Sequence, residues 1–207
     1  MAETAFPEEM VLCVPTSDLY EAAGQWRGLR KETPELWKVL AAKSSWRSRP
    51  DAESDPAMKQ LISYTMLISG ARIFVMRRLD NQSESRLRGL LSIGVGGHMN
   101  PVPAVDWPGK RRLDDLKVLV TANTAREVRE EVYLAGDPTF SVLGFLNDDT
   151  NPVGKVHLGV VSVIHLPAPI AAVRETDKMA GTWVELSEMN LLGEFETWSS
   201  LVLESLV

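Results

Sequence analysis

The sequence predicts an α+β fold, because segments with helical and strand-like hydrophobic patterns follow one another without strict alternation. Of the 207 residues, 44% are hydrophobic and 24% are charged, which is the composition of an ordinary globular domain. The first sixty residues have a different character from the rest. We therefore expect a main domain over residues 59–207 and an N-terminal extension over residues 1–58 that packs on it.

Charge and cysteine content exclude several classes of protein. The net charge is −6 at pH 7 and no dense basic run is present, so nucleic acid is not an expected partner. Cys13 is the only cysteine, which rules out an intrachain disulfide and indicates a reducing compartment. The N-terminus is acidic, and no uninterrupted apolar stretch reaches the ~20 residues that a membrane helix needs. We expect a cytoplasmic protein with no membrane partner.

The extension is expected to be mostly helical. An apolar run over residues 11–14 stops at Pro15, and the polar residues after it can cap a helix over residues 19–26. A second helix is expected to begin at Pro34, because proline suits the first helical position and apolar residues then recur at helical spacing. Residues 44–56 are polar and contain two prolines, so this stretch predicts a loop.

From residue 59 the pattern changes to strands and longer helices. Two apolar segments joined by Ser69-Gly70 predict a β-hairpin. A short strand over residues 90–95 then runs into a glycine-rich turn. The later segments predict a helix over 113–131, strands over 140–146 and 156–166, and an amphipathic helix over 194–206.

Three glutamates share one face of the predicted helix 113–131. Glu127, Glu130 and Glu131 stand at i, i+3 and i+4, so their carboxylates point to the same side. Like charges at this spacing destabilise a helix by a few tenths of a kcal/mol per pair, and Arg126 offsets part of this by facing Glu130. A divalent cation would make the cluster favourable, because Mg²⁺ prefers oxygen ligands. A solvated helix face is the alternative interpretation.

The glycine turn at Gly96-Gly97, together with residues 126–131, resembles the Nudix box, the signature of hydrolases that act on nucleoside diphosphates linked to another group. The segments DPAMKQLISYTMLI, SRLRGLLSIGVGGHMN, VHLGVV and ETWSSLVLESL are similar to a bacterial Nudix subfamily of phosphoesterase-like proteins with an N-terminal extension. The resemblance implies a Nudix-like α/β/α sandwich with a mixed β-sheet and a mostly helical N-terminal extension.

The resemblance also implies roles for individual residues and a class of ligand. The implied ligands of Mg²⁺ or Mn²⁺ are Glu127, Glu130 and Glu131. The implied catalytic residues are Arg126, Glu130 and Glu131. The residues implied to contact the substrate are Gly96, Gly97 and His98. The implied partner is a small-molecule nucleotide or diphosphate, hydrolysed at a phosphoanhydride bond with metal-bound water as the nucleophile.

The spacing of the box departs from the family pattern. Gly97 lies 29 residues before Arg126, where the family pattern has 14, which implies an insertion of about 15 residues. The inserted loop falls within residues 98–117 and carries Trp107, which would either stack on a nucleobase or fold the loop onto the body.

Two residues of the box also differ from the family pattern. Val118 stands where the family has a glutamate, and Tyr133 stands where it has a glycine. Asp114 or Asp115 could substitute for the missing carboxylate, although both also suit the start of a helix. Gly136 or the neighbouring Asp137-Pro138 could take over the missing turn.

Several alternatives follow from these departures. The general base is left open among Glu130, Glu131, Asp148, Asp149 and Glu188. Val118 and Tyr133 favour a Nudix-fold nucleotide-binding module with little or no turnover, whereas retention of the three glutamates favours the hydrolase. An isomerase acting on an allylic diphosphate is disfavoured by the absence of a second cysteine. A homodimer formed through the extension also stays open.

Overall fold

The computed structural model describes residues 8–79, 89–103, 105, 112–134, 136, 139–174, 176–177 and 179–206. The strands in these ranges are β1 (Met10–Pro15), β2 (Gly28–Lys31), β3 (Ser45–Ser48), β4 (Met58–Ser69), β5 (Arg72–Arg78), β6 (Leu91–Ser92), β7 (Val132–Tyr133), β8 (Phe140–Asn147), β9 (His157–His165), β10 (Ala172–Val173) and β11 (Met179–Glu185). The helices are α1 (Thr16–Ala23), α2 (Pro34–Lys43), α3 (Arg49–Ser54), α4 (Leu113–Glu131), α5 (Pro152–Lys155) and α6 (Thr197–Leu206), with a 3₁₀ helix over Leu186–Leu191.

One large mixed sheet forms the centre of the molecule. Its main path runs in the order β11-β5-β4-β9-β8-β2, while β1 pairs with β3 and β4, and β6 pairs with β5. The two central strands, β4 and β9, pair in parallel from Gln60 with His157 to Ile68 with His165. β7 and β10 form a separate two-stranded antiparallel sheet.

Helices cover both faces of this sheet. Because successive strand residues point to opposite faces, Leu158 and Val160 of β9 pack in one cluster with α2 and α4. Gly159, between them, faces the other side of the sheet. Trp198 of α6 packs there, 3.0 Å from the place that a Cβ of residue 159 would occupy. Ala52 of α3 covers the same side next to β1 and the start of β4. The predicted α/β/α sandwich with a mixed sheet is confirmed.

The extension contributes strands as well as helices. The two predicted helices are present as α1 and α2, although α1 ends at Ala23 and leaves Trp26 outside it. Thr33 caps α2 because its Oγ1 accepts a hydrogen bond from Leu36 N at 3.3 Å. The loop predicted over residues 44–56 is wrong, since this stretch forms β3 and α3. β3 pairs along β1, a contact between residues 32 to 38 positions apart that local composition does not reveal. The domain boundary at residue 58 stays a prediction.

The elements predicted for the main domain are largely confirmed. The hairpin is β4 and β5, the long helix spans the predicted residues, and the later strands and the last helix are β8, β9 and α6. The strand predicted over residues 90–95 is present only as β6, Leu91–Ser92. After Ser92 the chain pairs with β4 only through isolated bridges, at Val95 and His98. Within the described ranges, no helix is long and apolar enough to cross a membrane. Trp107 lies outside the described residues.

Candidate functional site

The glycine turn, residues 94–98, is held along the edge of β4. Ser63 N donates a hydrogen bond to the carbonyl oxygen of Gly97 at 2.9 Å, and Gly97 N donates to Ser63 Oγ at 3.3 Å. A Cβ at Gly96 would collide with the backbone carbonyl of Ser63. Glycine is therefore required at position 96 by the close approach of two backbones.

Gly97 faces Glu127 on α4. A Cβ at Gly97 would lie 2.5 Å from Cδ, Oε1 and Oε2 of Glu127. Glu127 is 8% exposed, and its burial raises the pKa of its carboxyl group, an effect that Arg126 opposes and Glu130 reinforces. A buried carboxylate of this kind is stabilised by a nearby cation, so the contact marks a place where positive charge would bind favourably.

Arg126 joins the glutamates to the glycine turn. Its Nη2 lies 2.7 Å from Glu127 Oε1, and its Nη1 lies 3.2 Å from Glu130 Oε2. The same Nη2 donates to the carbonyl oxygen of His98 at 2.9 Å and to Asn100 Oδ1 at 2.8 Å. One guanidinium group thus reduces the repulsion between two carboxylates and fixes the turn against the helix.

Asn123 is a residue of this site that the sequence analysis missed. It is buried, its Oδ1 accepts a hydrogen bond from Asn100 N at 3.0 Å, and its Nδ2 donates to the carbonyl oxygen of Asn100 at 2.9 Å. Asn100 Nδ2 in turn donates to Glu9 Oε1 at 3.1 Å, which ties the extension to the turn. The available signal was its position, because Asn123 stands four residues before Glu127 on the same helix face.

The other two glutamates are more accessible than Glu127. The Glu130 side chain is 55% exposed, and Glu131 is half-buried. Among the residues that the structure describes, the three glutamates do not bring their ligand atoms within 4.8 Å of one another. The one group of carboxylate and imidazole side chains that does so consists of Glu53, His98 and His157. The structure thus brings Gly97, Arg126, Glu127 and Glu130 together, with Glu131 adjacent on the helix.

The ring of His98 points away from this cluster. Its neighbours Gly97 and Met99 both face α4, so His98 faces the opposite side of the sheet. There its Nε2 lies 3.9 Å from Glu53 Oε1, and its ring centroid lies 5.5 Å from that of His157. Burial, and then the charge of a nearby arginine, lower the pKa of His98 to about 4, so the ring is neutral at pH 7. Its predicted contact with substrate stays a prediction.

Val118 is remote from the glutamates. It stands nine residues before Glu127, which is two and a half helical turns, so it lies about 14 Å along the axis and on the opposite face. Its side chain is exposed. Asp114 and Asp115, in the first turn of α4, lie still farther away, at least about 18 Å along the axis from Glu127. This placement favours the other interpretation of the two aspartates, that they belong to the start of the helix.

Tyr133, Gly136 and Glu188, which the sequence analysis also named, lie in three different parts of the structure. Tyr133 belongs to β7, and the guanidinium group of Arg174 lies 4.0 Å from the centroid of its ring. Gly136 has a φ of +74°, a left-handed backbone conformation that favours glycine. Glu188, a candidate general base, lies in the 3₁₀ helix after β11.

Asp148 and Asp149, also candidates for the base, take part in an ion-pair network at the end of β8. Lys59 is fully buried, and its Nζ donates to Asp149 Oδ1 at 2.8 Å and to nearby backbone carbonyls. Tyr20 donates its hydroxyl to Asp149, and Arg27 lies 3.2 Å from Asp148. Through these contacts, both carboxylates join the extension to the connection between β8 and β9.

Comparison with known proteins identifies the family. No protein-family model matches the chain. It is 32% identical over 209 aligned positions to Protein YmaB of Bacillus subtilis (strain 168), covering 96% of this chain and 98% of YmaB. The fold matches the crystal structure of Tm1382, a candidate Nudix hydrolase, with a TM-score of 0.75, 26% identity and coverage of 96% and 98%. A more distant match is the NUDIX domain of Shewanella oneidensis NrtR, with a TM-score of 0.48, 14% identity and coverage of 71% and 86%. The chain belongs to the family of YmaB, within the Nudix superfamily.

Proposed function

We propose that this protein is a hydrolase that requires Mg²⁺ or Mn²⁺ and cleaves a phosphoanhydride bond in a nucleoside diphosphate derivative. The observation that carries the proposal is the burial of Glu127 beneath Gly97, with Arg126 linking it to Glu130 on the same helix face. The similarity to Tm1382 over nearly the full chain supports it.

The glutamate face fits a divalent cation of this type. Glu127, Glu130 and Glu131 would hold it, because Mg²⁺ and Mn²⁺ prefer carboxylate oxygens. The absence of a side chain at Gly97 leaves the room that the Glu127 carboxylate occupies. When bound, the ion would neutralise charge on the diphosphate and lower the pKa of a water molecule.

The protein's own residues would position the substrate and move the proton. Gly96 and Gly97 are partly exposed, and their backbone would allow a phosphate to approach closely on the exposed side. Arg126 would keep Glu127 and the turn in fixed relation, so that little rearrangement is needed on binding. Glu130 and Glu131 are the proposed proton acceptors, because they are the more exposed carboxylates on this face and can be reached by water.

A nucleotide-binding module without turnover is the second candidate. It is favoured by one observation, that Arg126 already engages Glu127 and Glu130 while the three carboxylates are not gathered within ligand distance of one another. The substitution at Val118 no longer supports it, because that position is remote from the site. A cytoplasmic location and a homodimer stay predictions.

Turnover assays distinguish the two candidates. The purified protein would be incubated with Mg²⁺ or Mn²⁺ and with nucleoside diphosphates linked to a sugar, to a second nucleoside or to further phosphate, and the products separated by chromatography. We expect metal-dependent turnover that is lost in a Glu130→Gln, Glu131→Gln double variant. Glu35→Gln, at an exposed position in the first turn of α2, is the matched control and should retain activity. Metal-dependent nucleotide binding without turnover in the native protein would overturn the hydrolase.

A further inference from the structure

A second group of potential metal ligands lies on the opposite face of the sheet from Glu127. Glu53 of α3, His98 of the glycine turn and His157 of β9 each offer one ligand atom, and these atoms lie within 4.8 Å of one another. The two imidazole rings are 5.5 Å apart between centroids, at an interplanar angle of 62°. Three separate parts of the chain therefore converge on one point.

The ring nitrogens are arranged as metal-bound histidines usually are. His157 Nδ1 lies 2.8 Å from the carbonyl oxygen of Val153, and by donating to it leaves the lone pair on Nε2. A backbone carbonyl in this role commonly orients a ligating imidazole. His98 Nε2 is buried and has no hydrogen-bond partner among the described residues. Both Nε2 atoms are thus available for coordination.

Gln60 adds a fourth polar group on the same face. It pairs with His157 across β4 and β9, and His98 forms a bridge with Ile62, so the three side chains point to the same side of the sheet. Gln60 is 0% exposed, and within the described parts of the chain neither its Nε2 nor its Oε1 has a partner. A buried amide without partners is unfavourable, and this cost is relieved if Oε1 coordinates an ion or accepts a hydrogen bond from a bound water.

Glu53 supplies negative charge and is able to turn inward. Its side chain is 41% exposed, and Arg49 Nε lies 3.4 Å from its Oε1. Arg49 also pairs with Glu9 at 2.9 Å. Arg49 would therefore retain a carboxylate partner when Glu53 moves toward the two histidines.

We propose that Glu53, His98 and His157 bind a divalent transition-metal ion of the Zn²⁺ type, with Gln60 or a water molecule completing the coordination. Two imidazoles and one carboxylate suit Zn²⁺, whereas Mg²⁺ prefers oxygen ligands alone. The site is therefore chemically distinct from the glutamate face of α4. The ion ties α3 of the extension to the glycine turn and to the central strand β9.

Metal titration of the full-length protein tests this proposal. After removal of metal with a chelator, Zn²⁺ binding is measured by calorimetry, and Co²⁺ is used as a spectroscopic probe. We expect one Zn²⁺ per chain at this site, visible absorption bands on addition of Co²⁺, and no displacement by excess Mg²⁺. The affinity for Zn²⁺ should fall by more than about tenfold in His98→Gln, His157→Gln and Glu53→Gln variants.

Controls separate this site from other sources of binding. Glu53 lies at the surface, so Glu53→Gln should fold even if a buried histidine variant does not. His165→Gln, at the exposed far end of β9, and a Glu127→Gln, Glu130→Gln double variant should both retain Zn²⁺ binding. Unchanged affinity in Glu53→Gln and His98→Gln, or loss confined to the glutamate double variant, would overturn the proposal.

Discussion

Gly97 and Glu127 are in such close contact that any side chain at position 97 would displace the carboxylate. The three terminal atoms of Glu127 lie 2.5 Å from the place that a Cβ would occupy. The contact is between a backbone and the end of a flexible side chain, so a small rotation of the glutamate would relieve the clash. The relationship therefore constrains the geometry of the site more than the stability of the fold.

We accordingly predict that Gly97→Ala folds normally but loses metal-dependent turnover. The free energy of unfolding should fall by less than about 1 kcal/mol, because only the end of the Glu127 side chain must shift. Turnover should fall at least about tenfold, because a misplaced ligand group weakens both metal binding and positioning. Denaturant unfolding and steady-state kinetics on the same preparation measure both quantities.

Gly96→Ala provides the contrast. A Cβ at this position meets the carbonyl of Ser63, which is backbone and has no flexible end to move. We expect a loss of about 2–3 kcal/mol or more in the free energy of unfolding. Equal stability losses in the two alanine variants would contradict this description of the turn.

Arg126→Lys should impair the site although the charge is conserved. A single ammonium group cannot contact Glu127, Glu130 and the oxygens of His98 and Asn100 together. We expect a decrease of about 1–3 kcal/mol in the free energy of unfolding, together with lower turnover at saturating metal. Arg72→Lys, in an exposed pair with Glu185, is the control and should change stability by less than about 1 kcal/mol.

Val118→Glu is predicted to leave turnover unchanged. It would restore the carboxylate of the family pattern, but on the face of α4 opposite Glu127. Because Val118 is 53% exposed, the free energy of unfolding should also change by less than about 0.5 kcal/mol. An increase in kcat or in metal affinity would show that α4 has a different register in the active protein.

Asp149→Asn should destabilise the fold, because it leaves the buried Lys59 without its carboxylate partner. We expect a loss of about 3 kcal/mol in the free energy of unfolding. Asp18→Asn breaks a more exposed pair with Lys43 and should cost less than about 1 kcal/mol. Equal losses in the two variants would show that the buried pair of Lys59 and Asp149 contributes no more to stability than the exposed pair of Asp18 and Lys43.

The same pair gives a pH dependence. Burial raises the pKa of Asp149, but hydrogen bonds from Lys59 and Tyr20 outweigh it and hold the pKa below its ordinary value of 3.8. The unfolded chain therefore takes up this proton at higher pH than the folded chain does. The contribution of Asp149 to the free energy of unfolding is fully present above pH 3.8. It is lost as the pH falls through the lower pKa that Asp149 has in the folded protein. Denaturant unfolding at decreasing pH should show a steeper loss for the native protein than for Asp149→Asn.

Elements with strong local patterns could be predicted from the sequence. α4 has good helix formers and regular apolar spacing, and the hairpin of β4 and β5 carries its turn residues between two apolar runs. β3 and α3 escaped prediction, because their polar sequence becomes ordered only by pairing with β1 and by the Ser48 cap of α3. β11 likewise depends on pairing along β5.

The candidate site could be predicted only in part. The shared face of the three glutamates follows from helical spacing, and the glycine turn from its composition. The burial of Glu127 and the pairing of Asn123 with Asn100 depend on where the turn docks against the helix. The meeting of His98 with His157 depends on the parallel pairing of β4 with β9, for which no local pattern exists.

That parallel pairing has a consequence for the order in which the chain folds during synthesis. Gln60 and His157 are partners although 97 positions separate them. A ribosome that has completed β4 must therefore make most of the remaining chain before the central partner strand is available. Contacts of such long range form late, because closing the intervening loop costs entropy before the pairing can offset it. We expect nascent chains that end before β9 to expose the edge of β4 and to depend on chaperones until β9 emerges.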